Sequence, residues 1–159
     1  MDLKYIYEDC LAIKKLKASD QIKIKLMQDV CGQREDTWKV IGITAEAISV
    51  FKNNDYRYVS RMGINRSHYR KDRVEFFTDL LKKDFSFNEW CSYLCENDRT
   101  IFSLASENAK NKFSRIYEFS NEENYFRAKS IGWRHNKEDR EFLSKVCESI
   151  LRKNNEGVY

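Results

Sequence analysis

The sequence predicts an α+β fold, a small sheet with helices ahead of it and a long amphipathic helix behind it. Three observations lead there: apolar residues at helical spacing open and close the chain, short β-rich runs lie between them, and helix-capping side chains directly follow several of those runs. At 159 residues the chain has the size of one domain, long enough to bury roughly two-thirds of its unfolded surface. Hydrophobic residues at 42% against 34% charged exclude a disordered chain. Proline is absent, so helices must stop at glycine, asparagine and side-chain caps. No linker, repeat or low-complexity block divides the chain. It reads as a single domain over 1–159, with a helical arm at 1–34 and a mixed core at 37–159.

The arm is a helical hairpin. Leu3, Ile6, Cys10 and Ile13 recur at helical spacing, with Tyr7 and Leu11 widening the stripe. Ser19 and Asp20 cap a second helix that carries Ile22, Leu26, Met27 and Val30 and stops near Gly32. The pair either packs on the core or, being lysine-rich, serves a partner or a second copy in a homodimer. Residues 38–43 then form a strand, Thr44 caps a helix over 45–51, and 53–55 make a turn. Residues 56–61 read as a second strand, broken at 62–65. A basic helix should follow, with Val74, Phe77 and Leu81 inward. Ser86 and Glu89 form a capping box with Phe85 placed to staple onto Trp90, and that helix should end near Asn97. Residues 100–105 are a strand, and Ser106 caps a short helix over 107–112. Strand-like segments at 115–119 and 125–128 precede a last helix, capped by Asn136, with Phe142, Leu143, Val146, Cys147, Ile150 and Leu151 as its apolar face.

Five cysteines, an odd number with no secretion signal ahead of them, read as reduced thiols of a cytoplasmic protein. Cys91 and Cys95 lie one helical turn apart but lack a second Cys/His pair at zinc-site spacing. No apolar run approaches the ~18 residues of a membrane span, which predicts no membrane partner. The net charge of +4 leans towards phosphate-bearing partners. Aromatics at 14% fit a packed core and also a surface on which bases stack. Walker and dinucleotide loops are missing.

Histidine chemistry must involve His68 or His135, the two histidines of the chain. His68 stands among Arg61, Arg66, Arg70, Lys71 and Arg73, with Asp72 the single acid of that stretch. Five cations would depress its pKa and keep it neutral, as a general base requires, and the same cations would hold a phosphodiester backbone. Downstream, a strand runs into a short helix bearing Glu107, Asn108, Lys110 and Lys112.

Over residues 56–112 the chain resembles the HNH, or His-Me finger, endonucleases. In that family a histidine ends one strand and acts as base, an asparagine orients it, and a strand-to-helix element of the form "eN..K" supplies a metal ligand. The resemblance implies His68 as base, Asn97 as the orienting residue and Asn108 as a ligand to Mg²⁺ or Mn²⁺. The spacing from His68 to Asn97 is wider than usual, and Ser67 stands where many members have an acid, so the first ligand is unassigned; Asp72 and Asp98 are the nearest acids. It implies a metal-dependent endonuclease acting on DNA rather than RNA, with Lys110, Lys112 and Arg134 adding phosphate contacts. Two other readings remain open: a non-catalytic DNA- or RNA-binding protein using residues 61–73, and a metal-free ribonuclease pairing His68 with His135.

Overall fold

In the computed structural model, residues 2–34, 37–57, 63–110, 112–119 and 137–156 are described. They form an α+β structure: α1 (Leu3–Lys15), α2 (Asp20–Cys31), β1 (Lys39–Thr44), α3 (Ala45–Asn53), β2 (Ile64–His68), α4 (Arg73–Lys82), α5 (Phe87–Asn97), β3 (Arg99–Leu104), α6 (Ala105–Ala109), β4 (Ile116–Glu118) and α7 (Lys137–Glu156). The chain divides into two compact units, the first from residues 1–38 and 68–99, the second from 39–67 and 100–159. Among the described residues no helix is long and apolar enough to cross a membrane.

The first unit is a helical cluster. The Asp2 carboxylate accepts from the Lys4 N–H at 3.0 Å and starts α1, which buries Ile6, Cys10 and Ile13 as the spacing predicts. Helix α2 turns Met27 and Cys31 inward but leaves Ile22 and Leu26, expected in the core, 54% and 37% exposed. The basic helix begins later than expected, at Arg73, because Asp72 caps it by accepting from the Val74 and Glu75 amides. Phe77 is buried and Leu81 packs against the cluster as expected, together with Phe76 and Leu80, whereas Val74 faces outward. The predicted capping box of Ser86 and Glu89 opens α5, and Trp90 and Leu94 are its buried residues. Helix α1 packs on α2 and α5, and α2 packs on α4, so the N-terminal hairpin supplies half of an apolar cluster that no hairpin could close by itself.

The second unit is built on a mixed sheet of order β2-β3-β1-β4. Strand β4 runs antiparallel to β1, with Gly42 opposite Glu118, Ile43 opposite Tyr117 and Thr44 opposite Ile116. Gly42 is required by this pairing, since a Cβ there would lie 2.8 Å from the Tyr117 carbonyl oxygen. Thr44 caps α3 by accepting from the Ala47 amide at 3.2 Å. Val40, Ile43, Ile48, Phe51, Phe102 and Leu143 centre the core, with Val146 and Cys147 of α7 as predicted.

The interval between α3 and α4 departs from expectation. Asp55 and Tyr56 take positive φ, 53° and 55°, so Tyr56 belongs to a turn and not to a strand. Residues 58–61 of that expected strand, and Met62 of the expected break, lie outside the described residues. Residues 64–65, read as a break, instead begin β2, after Gly63 at φ 69° turns the chain. Helix α6 starts at Ala105, two residues early, because the Glu107 carboxylate accepts from the Leu104 N–H at 2.8 Å; Ser106 lies inside the helix. The strand expected at 125–128 and the Asn136 cap lie outside the described residues.

Candidate functional site

His68 is the last residue of β2. Its ring meets Trp38 edge to face, centroids 4.7 Å apart, and Phe76 lies at 6.5 Å. Both ring nitrogens are buried, without a hydrogen-bond partner among the described residues. Burial pushes the imidazole pKa below its usual value; Asp98 opposes this, Arg73 adds to it, and Asp72 and a backbone contact to Lys71, too poorly aligned to count as a hydrogen bond, oppose it. The neutral state expected from sequence is the favoured one, with burial rather than the cationic neighbours as its main cause.

Trp38 is held in place from two sides. Its backbone adopts φ 58°, a left-handed conformation that costs a bulky residue about 1–2 kcal/mol. The Arg73 guanidinium lies 4.1 Å from its ring centroid, a cation–π contact, and reaches the Gln28 amide oxygen at 3.4 Å. In the same unit the fully buried Arg34 pairs with Asp98, which also accepts from the Thr37 hydroxyl at 3.0 Å. Arg34 Nε donates to the Cys31 carbonyl at 3.2 Å.

Several expected site residues are engaged elsewhere. The Asn97 amide donates to the Tyr93 carbonyl at 2.9 Å, one turn back on its own helix, and makes no hydrogen bond to His68. Asp72 is the α4 cap and Asp98 is ion-paired, so neither carboxylate is free as a hard-oxygen ligand. Lys71 donates to Asp79, which also accepts from the Tyr93 hydroxyl at 2.9 Å. The Lys71 hydrogen bond holds the Asp79 carboxyl down at about 2, while burial, helped by Asp79, pushes Tyr93 up to about 12. Arg70 is exposed and Arg66 half-buried on β2. Arg61, Arg134 and His135 lie outside the described residues. The stretch 61–73 is therefore not one cationic surface: Lys71 and Arg73 are committed to contacts within the first unit. Ser67, preceding the histidine, shares a 2.6 Å hydrogen bond with Ser103. Among the described residues no three His, Cys, Asp or Glu side chains converge as a metal cage.

No protein-family model, curated protein or solved structure matches the chain.

The second unit holds a different set of cations. Glu107, 8% exposed, accepts from the Thr44 hydroxyl at 2.8 Å, the Leu104 amide at 2.8 Å, and the Ser114 amide and hydroxyl at 2.7 and 2.5 Å. Burial works against its ionisation, yet these donors prevail and hold its pKa below the usual range. The carboxylate thus ties α6 and the start of the next strand to the end of β1. On the connection it orders, Lys110, Lys112 and Arg115 are all exposed, as is Asn108. The Arg115 guanidinium lies over the Tyr117 ring, 5.0 Å from its centroid, and the Tyr117 hydroxyl accepts from the Asn154 amide at 2.9 Å. These residues border an open groove of about 440 Å³ between β4 and α7, which Ser149, Ile150 and Lys153 also line. Lys110 and Lys112 were expected as phosphate contacts; Arg115, Tyr117 and Lys153 were not. Their signal was the run Lys110-Asn-Lys-Phe-Ser-Arg115, three cations in six residues with no acid before Glu118.

Charge divides unevenly. The first unit's sequence has 13 Lys and Arg against 14 Asp and Glu, a net −1, and the second has 16 against 11, a net +5.

Proposed function

We propose that this protein binds nucleic acid, DNA in preference to RNA, through the basic surface of its second unit. One observation carries the reading: the unit with the net positive charge exposes Lys110, Lys112 and Arg115 on one connection, and Arg115 with Tyr117 and Lys153 lines an open groove. Clustered cations attract the phosphate backbone, and Tyr117 under Arg115 offers a face against which a base can stack. The test is a titration of labelled single- and double-stranded DNA and RNA against salt. Replacing Lys110, Lys112 and Arg115 together with serine should lower the log–log salt slope by roughly 0.9 per lost contact on duplex DNA. An unchanged affinity and slope would end this reading. The Arg70→Ser protein is the control and should bind nearly as the parent does.

A second reading, metal-dependent hydrolysis of phosphodiester bonds in the manner of the HNH endonucleases, is favoured by His68. A neutral imidazole at the end of a strand, its nitrogens without a well-aligned hydrogen bond among the described residues, suits a base that takes a proton from the attacking water. The reading also requires that this ring be uncovered when substrate binds. This reading calls for Mg²⁺ or Mn²⁺, but the described carboxylates near His68 in sequence do not fit a metal site, being already bonded. Incubation with plasmid DNA and either cation, with and without chelator, tests it. Binding without cleavage would leave the protein a binding module.

A further inference from the structure

The helical unit contains a pair of thiols that nucleic-acid binding does not use. Cys10 of α1 and Cys31 of α2 are 3% and 1% exposed, and their Sγ atoms lie 3.7 Å apart in a thiol–thiol hydrogen bond. A disulfide needs about 2.05 Å, so closure by roughly 1.6 Å, within reach of rotamer adjustment and a small helix shift, would join them. Cys91 is half-buried and Cys95 exposed on α5, and Cys147 is buried in the second unit.

We propose that Cys10 and Cys31 are an oxidisable dithiol that closes to an intramolecular disulfide between α1 and α2 when the protein meets hydrogen peroxide. One of the two sulfurs, as its thiolate, attacks one peroxide oxygen; the O–O bond breaks, and the departing hydroxide takes a proton to leave as water. That cysteine is then a sulfenic acid. The other sulfur, giving up its proton, attacks it; the S–O bond breaks and a second water leaves. Two thiols and one peroxide become one disulfide and two waters, the sulfurs oxidised and the peroxide reduced.

Arg34 and Lys14 favour the Cys10 thiolate, while burial and Asp9 oppose it. Burial also favours the protonated thiol at Cys31. Either sulfur can donate the hydrogen bond between them, and either can react first. Burial of both sulfurs limits the oxidant to one as small as peroxide or to moments when the hairpin opens. Once formed, the link would fix α1 against α2 and anchor the turn in which Arg34 holds Cys31 and Asp98.

The test uses the whole protein, treated with peroxide, alkylated with iodoacetamide and digested with trypsin without reduction. The expected result is peptide 5–14 joined to peptide 26–34, released by dithiothreitol, with a higher melting temperature for the oxidised protein than for the reduced one. The Cys91→Ser/Cys95→Ser protein should form the same link. Full alkylation of Cys10 and Cys31 after peroxide, or links confined to Cys91, Cys95 or two chains, would overturn the proposal. The wild-type digest decides this even where cysteine variants fold poorly.

Discussion

The Thr44 hydroxyl donates to the Glu107 carboxylate at 2.8 Å across 63 residues of sequence, so the residue that caps α3 also anchors the carboxylate that starts α6. Glu107 is the hub of the second unit's basic connection. Glu107→Ala would leave the Thr44, Leu104 and Ser114 donors without their acceptor, at about 1–3 kcal/mol for each group left buried and unpaired. The variant should melt several degrees lower and bind DNA more weakly, because Lys110, Lys112 and Arg115 lose their ordered connection. The sign with pH is fixed by the lowered pKa: the contribution is present above about 4.3, the unfolded value, and is lost as pH falls through the folded value. Urea melts of parent and variant should therefore converge in acid, and parallel curves down to pH 3 would refute this.

Gly42 tests whether the groove depends on how closely β4 approaches β1. A methyl group there would stand 2.8 Å from the Tyr117 oxygen and 3.3 Å from Ile101 Cγ2. Gly42→Ala should destabilise by about 1–3 kcal/mol through overpacking and displace Tyr117 and Arg115. A drop in DNA affinity beyond that of Gly32→Ala, outside the sheet, is the expected result.

The Arg34–Asp98 pair is fully buried, its side chains 2% and 3% exposed. Removing one partner leaves an uncompensated charge, so Arg34→Met or Asp98→Leu alone should cost about 3–5 kcal/mol. The double replacement should be far milder than the two single costs added. Additive losses in denaturant melts would mean that the pair is not coupled.

His68 gives the chain a dependence on mildly acidic pH. Its folded pKa lies below the unfolded value of about 6.5, so stability is fully present above that value and falls as pH drops below it, where the unfolded chain takes up the proton more readily. His68→Phe should flatten the difference in melting temperature between pH 7 and pH 5. If His68 is also the general base, cleavage should fall on the order of 10² to 10⁴-fold with DNA binding retained.

Much of the element order was legible in the sequence because local chemistry fixes it. The Ser86–Glu89 capping box, the Thr44 cap and the stripe of α7 each act within a few residues, and each stands where its spacing predicts. Phase was harder to read. Of Val74, Phe77 and Leu81, expected inward on helical spacing, Phe77 is buried and Leu81 packs against the cluster, but Val74 is exposed and Phe76 and Leu80 take the core positions.

The candidate site divides in the same way. Charge and residue type drew attention to His68, Lys110 and Lys112 in the sequence, and a neutral His68 was expected from its cationic neighbours. Its principal cause is burial, and the ring packs edge to face on Trp38, a contact between residues 30 positions apart that no local pattern encodes. The basic run at 61–73 looked uniform as a string of letters, yet Lys71 is bonded to Asp79 and Arg73 lies on Trp38. Sequence by itself determined the α+β class, the Thr44 cap and the Ser86–Glu89 capping box, and the overall charge, since propensity, capping and ionisation are local properties. Which cations stay exposed, which carboxylates are spent on internal bonds and which thiols meet were decided by tertiary structure, because each depends on a partner brought close only when the chain packs.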